Sequence, residues 1–324
     1  MTVTDRELSA AVAAVRQAAR VCASVQGRLS EADTLTKGDD SPVTIADFAA
    51  QAVVCAVLAD ALGAVAVVGE EAASDLRDDE RTDVRNRVVD IVSRSFERTV
   101  PVDQVLEWIS FGTADATGDR YWTLDPIDGT KGFLRGEQYA VALALIERGQ
   151  VVAGVLGCPN LPNDDGSTGA IFVAGGGVAE VHTTGAAGPT PIRVDDPATL
   201  TQARVCESVE SGHSDQDQSV RIARRLGVGT EPYRIDSQCK YGAVARGDAS
   251  IYLRLPTSAD YVEKIWDHAA GKFIVEQAGG IVTDVDGRPL DFSVGSRLAN
   301  NRGVIATSGA FHAEVLEAVG TVLG

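Results

Sequence analysis

A Gly- and Pro-rich bridge from Gly185 to Pro197 divides the chain into two stretches with different hydrophobic patterns. Before it, Tyr139–Ile146 and Val151–Leu156 flank the turn Glu147-Arg148-Gly149-Gln150, and Ala170–Val173 and Val178–Val181 flank Gly175-Gly176-Gly177, as two β-hairpins would. Helices come first in this half. Thr4-Asp5-Arg6-Glu7 has the capping-box pattern and opens a run with Leu8, Val12, Val15, Ala19, Cys22, Val25 and Leu29 at three- and four-residue steps. A second helix is predicted from about Thr44 to Leu62, and Val88, Ile91, Val92 and Val105, Leu106, Ile109 mark two more exposed helices within the charged stretch Asp75 to Asp119. The first half therefore reads as helices against an antiparallel sheet. Beyond the bridge, short strands at Arg204–Glu207, Arg234–Ile235, Ser250–Leu255 and Gly303–Ala306 alternate with helices near Asp215–Leu226, Tyr241–Arg246, Asp267–Gln277 and Gly309–Val322, the order of an α/β unit. The expected fold class is α/β, with an α+β part at 1–190 and an α/β part at 191–324, and 324 residues can enclose a core in each.

The chemistry concentrates in Trp122-Thr-Leu-Asp125-Pro126-Ile127-Asp128-Gly129-Thr130-Lys131-Gly132-Phe133. Two carboxylates end a β-like run, offering anionic oxygens of the kind Mg²⁺ selects, and the proline between them stiffens the backbone that aims them. Gly129 lets the backbone approach a ligand, and the N–H groups after it suit a phosphate if a turn or helix begins there. Thr130 adds a hydroxyl beside a metal-bound water. An ordinary turn has the same Asp, Pro and Gly content. Three further segments place acids at element ends. The apolar run Val65–Val68 stops at Gly69-Glu70-Glu71, where a solvated loop is the alternative and is expected for Glu71. Asp47 lies in the first turn of the second helix, where an acid also complements the helix dipole, and Asp267 opens the apolar helix that ends at Gly279-Gly280, where it also suits a cap.

A formal net charge of −17 argues against nucleic acid and anionic membranes as partners. Cys22, Cys55, Cys158, Cys206 and Cys239 form no close pair and no metal-like spacing along the sequence, which fits reduced thiols in the cytoplasm. The polar start, with Asp5 and Glu7, lacks the apolar core of a secretory signal. Ala49 to Gly69 is mostly apolar, yet Gln51 and Asp60 interrupt it, and an Asp at mid-span costs about 2.5 to 3.5 kcal/mol in a bilayer. A buried helix ending at Gly63, followed by a strand, explains the run better.

Taken together, the segments resemble the lithium-sensitive, Mg²⁺-dependent phosphatase superfamily that includes inositol monophosphatase, through Gly69-Glu70-Glu71, Asp125-Pro-Ile-Asp-Gly-Thr130 and Trp266-Asp-His-Ala-Ala-Gly271 in that order. Lys131-Gly132-Phe133 is similar to the 3′(2′),5′-bisphosphate nucleotidases within it. So are Arg135–Ala140, Cys158–Leu161, Glu207–Glu210, His213-Ser214, Asp236–Gly242 and Ile251–Arg254, and the similarity runs from Ser41 to about Ser308. One departure is Cys239, where the family more often has alanine. The resemblance implies a layered α-β-α-β-α sandwich, a metal-binding first domain and a substrate-binding second domain, with the site at their junction.

Carried over by position, the resemblance makes Glu70, Asp125, Asp128 and Asp267 ligands of two or three Mg²⁺ ions, with the Ile127 carbonyl completing one shell, and gives Asp47 and Thr130 the task of orienting and deprotonating the attacking water. Gly129, Thr130, His213, Ser237, Lys240, Arg254 and Asp267 then face the substrate, the lysine and arginine at the phosphate that is not cleaved. For Lys240 and Arg254 the alternative is a solvated surface cation, and for His213 a solvated loop. The activity implied is removal of the 3′-phosphate from adenosine 3′,5′-bisphosphate, or from its sulfated form, by a cytoplasmic monomer or homodimer. A phosphatase for inositol phosphates or another nucleotide, and a nucleotide sensor without turnover, are the competing possibilities; the intact acid set and Thr130 argue against the sensor, and Lys131, Lys240 and Arg254 favour the bisphosphate.

Overall fold

In the computed structural model, which describes residues 2–28, 34–36, 42–183, 188–209, 216–256, 258 and 261–324, the capping box at Thr4 forms as its sequence predicts. The Glu7 N–H donates to Thr4 Oγ1 and the Thr4 N–H donates to Glu7 Oε2, opening α1 (Asp5–Gln26). Leu29 and Gly185–Ala187 lie outside the described residues. A short antiparallel pair, β1 (Thr34–Thr36) and β2 (Pro42–Thr44), leads into α2 (Ile45–Leu62), which ends at Gly63 with φ 81°. Then come β3 (Val67–Gly69), α3 (Thr82–Ser95) and α4 (Val102–Ser110).

The first sheet continues through β4 (Arg120–Asp128), β5 (Ala140–Glu147), β6 (Gln150–Pro162), β7 (Thr168–Gly175), β8 (Val178–Thr183) and β9 (Thr190–Pro191), with the short α5 (Thr130–Leu134) between β4 and β5. Its order is β3-β4-β5-β6-β7-β8-β9. Both predicted hairpins are present. The sheet departs from the antiparallel expectation at one edge, where β3 runs parallel to β4 because α3 and α4 form the crossover between them.

The rest of the chain supplies β10 (Val205–Glu207), α6 (Gln216–Leu226), β11 (Tyr233–Arg234), α7 (Cys239–Arg246), β12 (Ile251–Arg254), α8 (Ala269–Gln277), β13 (Ile281–Thr283), β14 (Val304–Thr307) and α9 (His312–Leu323). The second sheet has the order β11-β10-β12-β14-β13, with β10 parallel to its two neighbours and the β12, β14, β13 ladder antiparallel. Sequence patterning did not single out β13.

Side-chain alternation along the strands sorts the core into layers. Leu143, Leu145, Val155 and Val173 face α1, α2, α3 and α4. Their neighbours Ala142, Ala144, Leu156 and Phe172 face Tyr241 and Val244 of α7 and Ile274 and Val275 of α8, which also cover Tyr252, Val304 and Ala306 of the second sheet. Ile251, Leu253 and Ile305 face outward onto Ile222 of α6 and Val315 and Val319 of α9. The result is the α-β-α-β-α order. Its middle layer is thin: a Cβ on Gly271 of α8 would lie 2.2 Å from Tyr241 Cδ2, so only glycine admits that contact between the two inner helices.

α2 is apolar on nearly every side because α1, α3, α4 and β4 surround it. Both α1 and α2 have the length and apolar content to cross a bilayer, and in the fold their buried faces pack on protein. α4 is less exposed than its charged setting suggests, since Val105, Leu106 and Ile109 pack into the same core as α2. Gln51 is the polar exception within α2. Its Nε2 donates to the carbonyls of Glu71 (2.7 Å) and Ile109 (2.9 Å), and its Oε1 accepts from the Glu71 N–H (3.0 Å). Glu71 is itself buried at 2% exposure, not solvated, because this anchor draws the segment after β3 onto the helix.

Gln51→Leu leaves these backbone groups without their amide partner, and each buried polar group so exposed to apolar surroundings costs about 1–3 kcal/mol. We expect the variant to lose about 3 kcal/mol of unfolding free energy, read from the urea midpoint at unchanged slope. An unchanged midpoint would show that water or another group replaces the amide at no cost.

Candidate active site

The two acids of Asp125-Pro126-Ile127-Asp128 are an odd number of residues apart, which in a regular strand would send them to opposite faces. A bulge corrects this. Asp125 lies opposite Ala142 and Asp128 opposite Ala140, so three steps on β4 match two on β5. Pro126, which has no N–H for the ladder, sits inside the irregularity. Ala140 and Ala142 both belong to the core shared with α7 and α8, and Asp125 and Asp128 are thereby directed to that same side. On the other neighbour of β4, Gly69 pairs with Leu124 and the Glu70 N–H donates to the Leu124 carbonyl, so Glu70 leaves β3 beside Asp125.

Asp267 reaches the cluster from the other sheet's side. α8 begins at Ala269, and its cap position, His268, makes no side-chain cap bond; Asp267 thus stands ahead of the helix and does not serve as its cap. Burial pushes the Asp267 carboxyl well up; Arg254 counters that shift, while Asp128, Glu70 and Glu263 add to it. Burial likewise raises Asp128, against the lowering effect of Lys240. A buried carboxyl whose proton affinity several neighbouring acids raise marks a donor set short of cations. Glu70, Asp125, Asp128 and Asp267, drawn from three chain segments, fit a hard divalent cation on that ground.

Asp47 and Thr130 occupy neighbouring helix starts. Asp47 is 1% exposed; its Oδ2 accepts from the Thr44 N–H at 2.8 Å and from the Thr44 hydroxyl at 2.7 Å, completing a capping box on α2. Thr130 opens α5 and donates to the Ile127 carbonyl at 3.2 Å, and α5 packs on β2, whose last residue is Thr44. Ile127 has its side chain in the core and its N–H on Asp125 Oδ1 at 3.1 Å, so the loop backbone is tied to its own carboxylate.

Gly129 is required here by conformation and by space. Its φ is 86°, and a Cβ on it would lie 2.8 Å from Ser237 Cβ. Ser237 itself has φ 64°, and its hydroxyl is engaged locally, donating to the Asp236 carbonyl at 2.6 Å and accepting from the Cys239 N–H at 3.2 Å. Lys240 is 4% exposed, with its ammonium 5.3 Å from the Tyr252 ring centroid, and burial lowers its pKa. Arg254 has 19% of its side chain exposed; Nε reaches both oxygens of Glu263 at 2.9 Å, and Nη2 lies 3.9 Å from Asp267 Oδ2. Neither cation is the solvated surface residue that composition would suggest. His213 lies outside the described residues.

Several residues that organise the site are given no role by sequence reasoning, although most of them lie within the matched segments Asp236–Gly242 and Trp266–Gly271. The Gln238 N–H donates to Asp128 Oδ2 through a short bond, its Nε2 donates to the Trp266 carbonyl at 2.8 Å, and its Oε1 accepts from the Gly271 N–H at 3.1 Å. One residue thus joins Asp128, through its backbone, to the segment that bears Asp267, through its side chain. Glu263 extends the ionic network: His268 Nε2 is 3.1 Å from its Oε2, and His268 Nδ1 is 2.7 Å from the Tyr241 hydroxyl. Burial would raise the Glu263 carboxyl, but Arg254 and then His268 override it and hold it at about 2. Donor atoms of Glu263, Asp267 and His268 come within 4.8 Å of one another, and Arg254 is the cation beside them. For Gln238 the available hint is its place in the matched segment Asp236–Gly242. The cysteines also differ from their sequence spacing: all five are free and buried, but Cys158 and Cys239 meet across the fold, where their hydrogen bond, together with burial, raises the Cys158 thiol. Cys239, the first residue of α7, fits its buried position, and its thiol donates to the Tyr139 carbonyl at 3.3 Å.

Comparison with known proteins agrees with this geometry. Residues 3–322 match the model of the inositol monophosphatase family. The chain is 42% identical to the 3′(2′),5′-bisphosphate nucleotidase of Schizosaccharomyces pombe, over 98% of this chain and 96% of the yeast protein. It is 44% identical to the enzyme of the same name from Emericella nidulans, over 90% and 91% of the two chains. Among solved structures, an inositol monophosphatase from Thermotoga maritima superposes with TM-score 0.64 at 21% identity, covering 96% of each chain. CysQ from Bacteroides thetaiotaomicron does so with TM-score 0.59 at 20% identity, covering 93% of this chain and 96% of that one. At these identities the structural likeness concerns the fold, whereas the sequence matches extend to the motifs that build the site. The chain therefore belongs to the inositol monophosphatase family, in the branch formed by the 3′(2′),5′-bisphosphate nucleotidases.

Proposed function

We propose that this chain, a 3′(2′),5′-bisphosphate nucleotidase by its family branch, hydrolyses the 3′-phosphate of adenosine 3′,5′-bisphosphate to give AMP and phosphate, and accepts 3′-phosphoadenylyl sulfate as a second substrate. The family is generally metal-dependent, and we assign Mg²⁺, two or three ions per site, to Glu70, Asp125, Asp128, Asp267 and the Ile127 carbonyl. Those ions, when bound, polarise the phosphoryl oxygens and make water a stronger nucleophile. Asp47 and Thr130 orient that water and take its proton, which leaves finally with the 3′-oxygen of the product alcohol. The hydrogen bonds from the Thr44 N–H and hydroxyl fix the position of the Asp47 carboxyl for that task.

The observation that carries the substrate assignment is a buried lysine and an arginine within electrostatic reach of Asp128. An enzyme for a monophosphate has one phosphate to bind, and the metals serve it. Lys240 and Arg254 are additional cations, suited to a second, uncleaved phosphate through charge-assisted hydrogen bonds. Gly129, Thr130 and Ser237 are assigned to the same pocket, supported by the close approach of Gly129 to Ser237, and His213 is assigned to it by its motif. The five free thiols support the cytoplasm as the working compartment, and the assembly proposed is a monomer or homodimer.

With Mg²⁺ present, kcat/KM for adenosine 3′,5′-bisphosphate is expected to exceed that for inositol 1-phosphate by well over tenfold, with Li⁺ suppressing turnover; the reverse preference would overturn the substrate and leave the chemistry standing. Asp128→Asn is expected to lower kcat/KM about 100-fold at fixed Mg²⁺, the upper range for weakening a metal site's supporting charge. Near-normal activity in that variant would contradict its role as a ligand. Lys240→Met is expected to raise KM for the bisphosphate about 10- to 100-fold, the range of one charge-assisted hydrogen bond, while altering hydrolysis of 3′-AMP by less than about threefold. Equal losses on both substrates would mean that Lys240 acts on the cleaved phosphate or on the fold.

A further inference from the structure

A groove of about 850 Å³ runs between α1 and α3, on the opposite side of the first sheet from α7 and α8, and Arg16, Arg20, Arg28, Arg87 and Arg94 line it. Two acids, Asp90 and Glu97, share its walls, so the groove is basic in a protein of net charge −17. Helical spacing creates it. Arg16, Arg20 and Arg28 lie at four-residue multiples along one face of α1 and its C-terminal end, and Arg87 and Arg94 are two turns apart on α3. Gln17 fixes the two helices relative to each other, its Nε2 donating to the Ser95 carbonyl at 3.1 Å and to the Ser95 hydroxyl at 2.9 Å.

These arginines differ from those that serve the fold. Arg120, Arg135, Arg246 and Arg254 each hold a carboxylate. Arg16, Arg20, Arg28 and Arg94 make no ion pair with any described residue, and Arg16 instead lies 3.3 Å from another basic group, His182 Nδ1. Like charges gathered on two facing helices repel one another, and among the groove's lining residues only Asp90 and Glu97 carry the opposite charge. Val21, Ile45 and Ile91 give the groove apolar patches between the cations, and its volume falls within the range of small-ligand pockets.

We propose that this groove is a second anion-binding site, separate from the metal cluster, for a small molecule bearing two or more phosphate or sulfate groups. Guanidinium groups on opposite walls grip separate phosphates with paired N–H donors, and the apolar patches contact whatever joins them. The active site does not supply this affinity when metal is removed, because its crowded carboxylates then repel a polyanion.

The test uses the full chain after EDTA treatment, titrated with inorganic tripolyphosphate at low salt in a calorimeter. One site is expected, with affinity falling at least tenfold in Arg20→Ser/Arg94→Ser and unchanged in Lys240→Met. Adenosine 5′-diphosphate as a second probe separates the ligand sources: tighter binding than pyrophosphate assigns the apolar patches to a nucleoside, and equal binding assigns the site to phosphates alone. Amide exchange should slow in residues 13–28 and 87–97 on adding tripolyphosphate, which keeps the test decisive if the double variant folds poorly. Absence of binding, binding equal in the arginine variant, or loss in Lys240→Met with protection at 236–242 would each overturn the proposal. None of these readouts depends on turnover, so failure of the nucleotidase assignment would be seen separately.

Discussion

The gathering of acids around the Asp267 carboxyl, which Asp128, Glu70 and Glu263 push up and Arg254 counters, is the interaction on which the rest of this arrangement depends. Acids brought together in this way oppose folding unless rigid elements fix them and cations offset them. The fixing is visible in each case. Glu70 is held at a parallel strand end whose following residue is anchored by Gln51, and Asp125 and Asp128 are aligned by the bulge at Pro126. Asp267 stands before α8 beside Arg254. None of the four occupies a flexible tip. Their positions are set by sheet register and helix packing, which concern hundreds of other contacts and cannot relax to relieve one local charge.

Gln238 is the link between the halves of that arrangement. Its backbone serves Asp128 and its side chain serves Trp266 and Gly271, so one residue at the start of α7 measures the distance from β4 to the Asp267 segment. The close contact of Gly271 with Tyr241 makes the same measurement through packing. Tyr241 in turn bonds His268, which bonds Glu263, which holds Arg254. The ionic network that positions the arginine is therefore continuous with the thin middle layer of the sandwich. Packing and electrostatics are the same structure seen at two scales: a helix displaced by a methyl group at Gly271 would move the arginine and the last acid together.

Much of this was legible in the sequence because it is local. The capping box at Thr4, the helix start near Thr44, the two hairpins, the stop at Gly63 and the acids at Gly69-Glu70 and Asp125–Asp128 each depend on residues within a few positions of one another. What sequence patterning missed is long-range. The parallel pairing of β3 with β4 depends on a crossover of about fifty residues, and strand β13 is three residues long. The roles of Gln51 and Gln238 depend on which backbone groups the fold brings to them, and the meeting of Cys158 with Cys239 spans two layers. Glu71 looked like a loop residue because the charges that follow it suggest solvent; the Gln51 anchor lies twenty positions earlier. The bulge lay between these cases. Pro126 announced an interrupted ladder, but only the register on β5 reveals that the interruption restores two acids to one face.

The buried cations complete the logic of the site. A lysine at 4% exposure is costly to charge, and burial has lowered its proton affinity accordingly. Cys206, Asp128 and Asp236 favour its charged form, and its ammonium lies 5.3 Å from the centroid of the Tyr252 ring. An aromatic face stabilises a cation without consuming its hydrogen-bond donors. The Lys240 ammonium donates no hydrogen bond to any described residue, and Arg254 is oriented through Nε by Glu263 with Nη2 toward Tyr261 and Asp267. A structural ion pair would bury the donors in a carboxylate. Holding the charge with a ring on one residue and through Nε on the other tolerates two cations beside the acids without spending all of their hydrogen-bond donors.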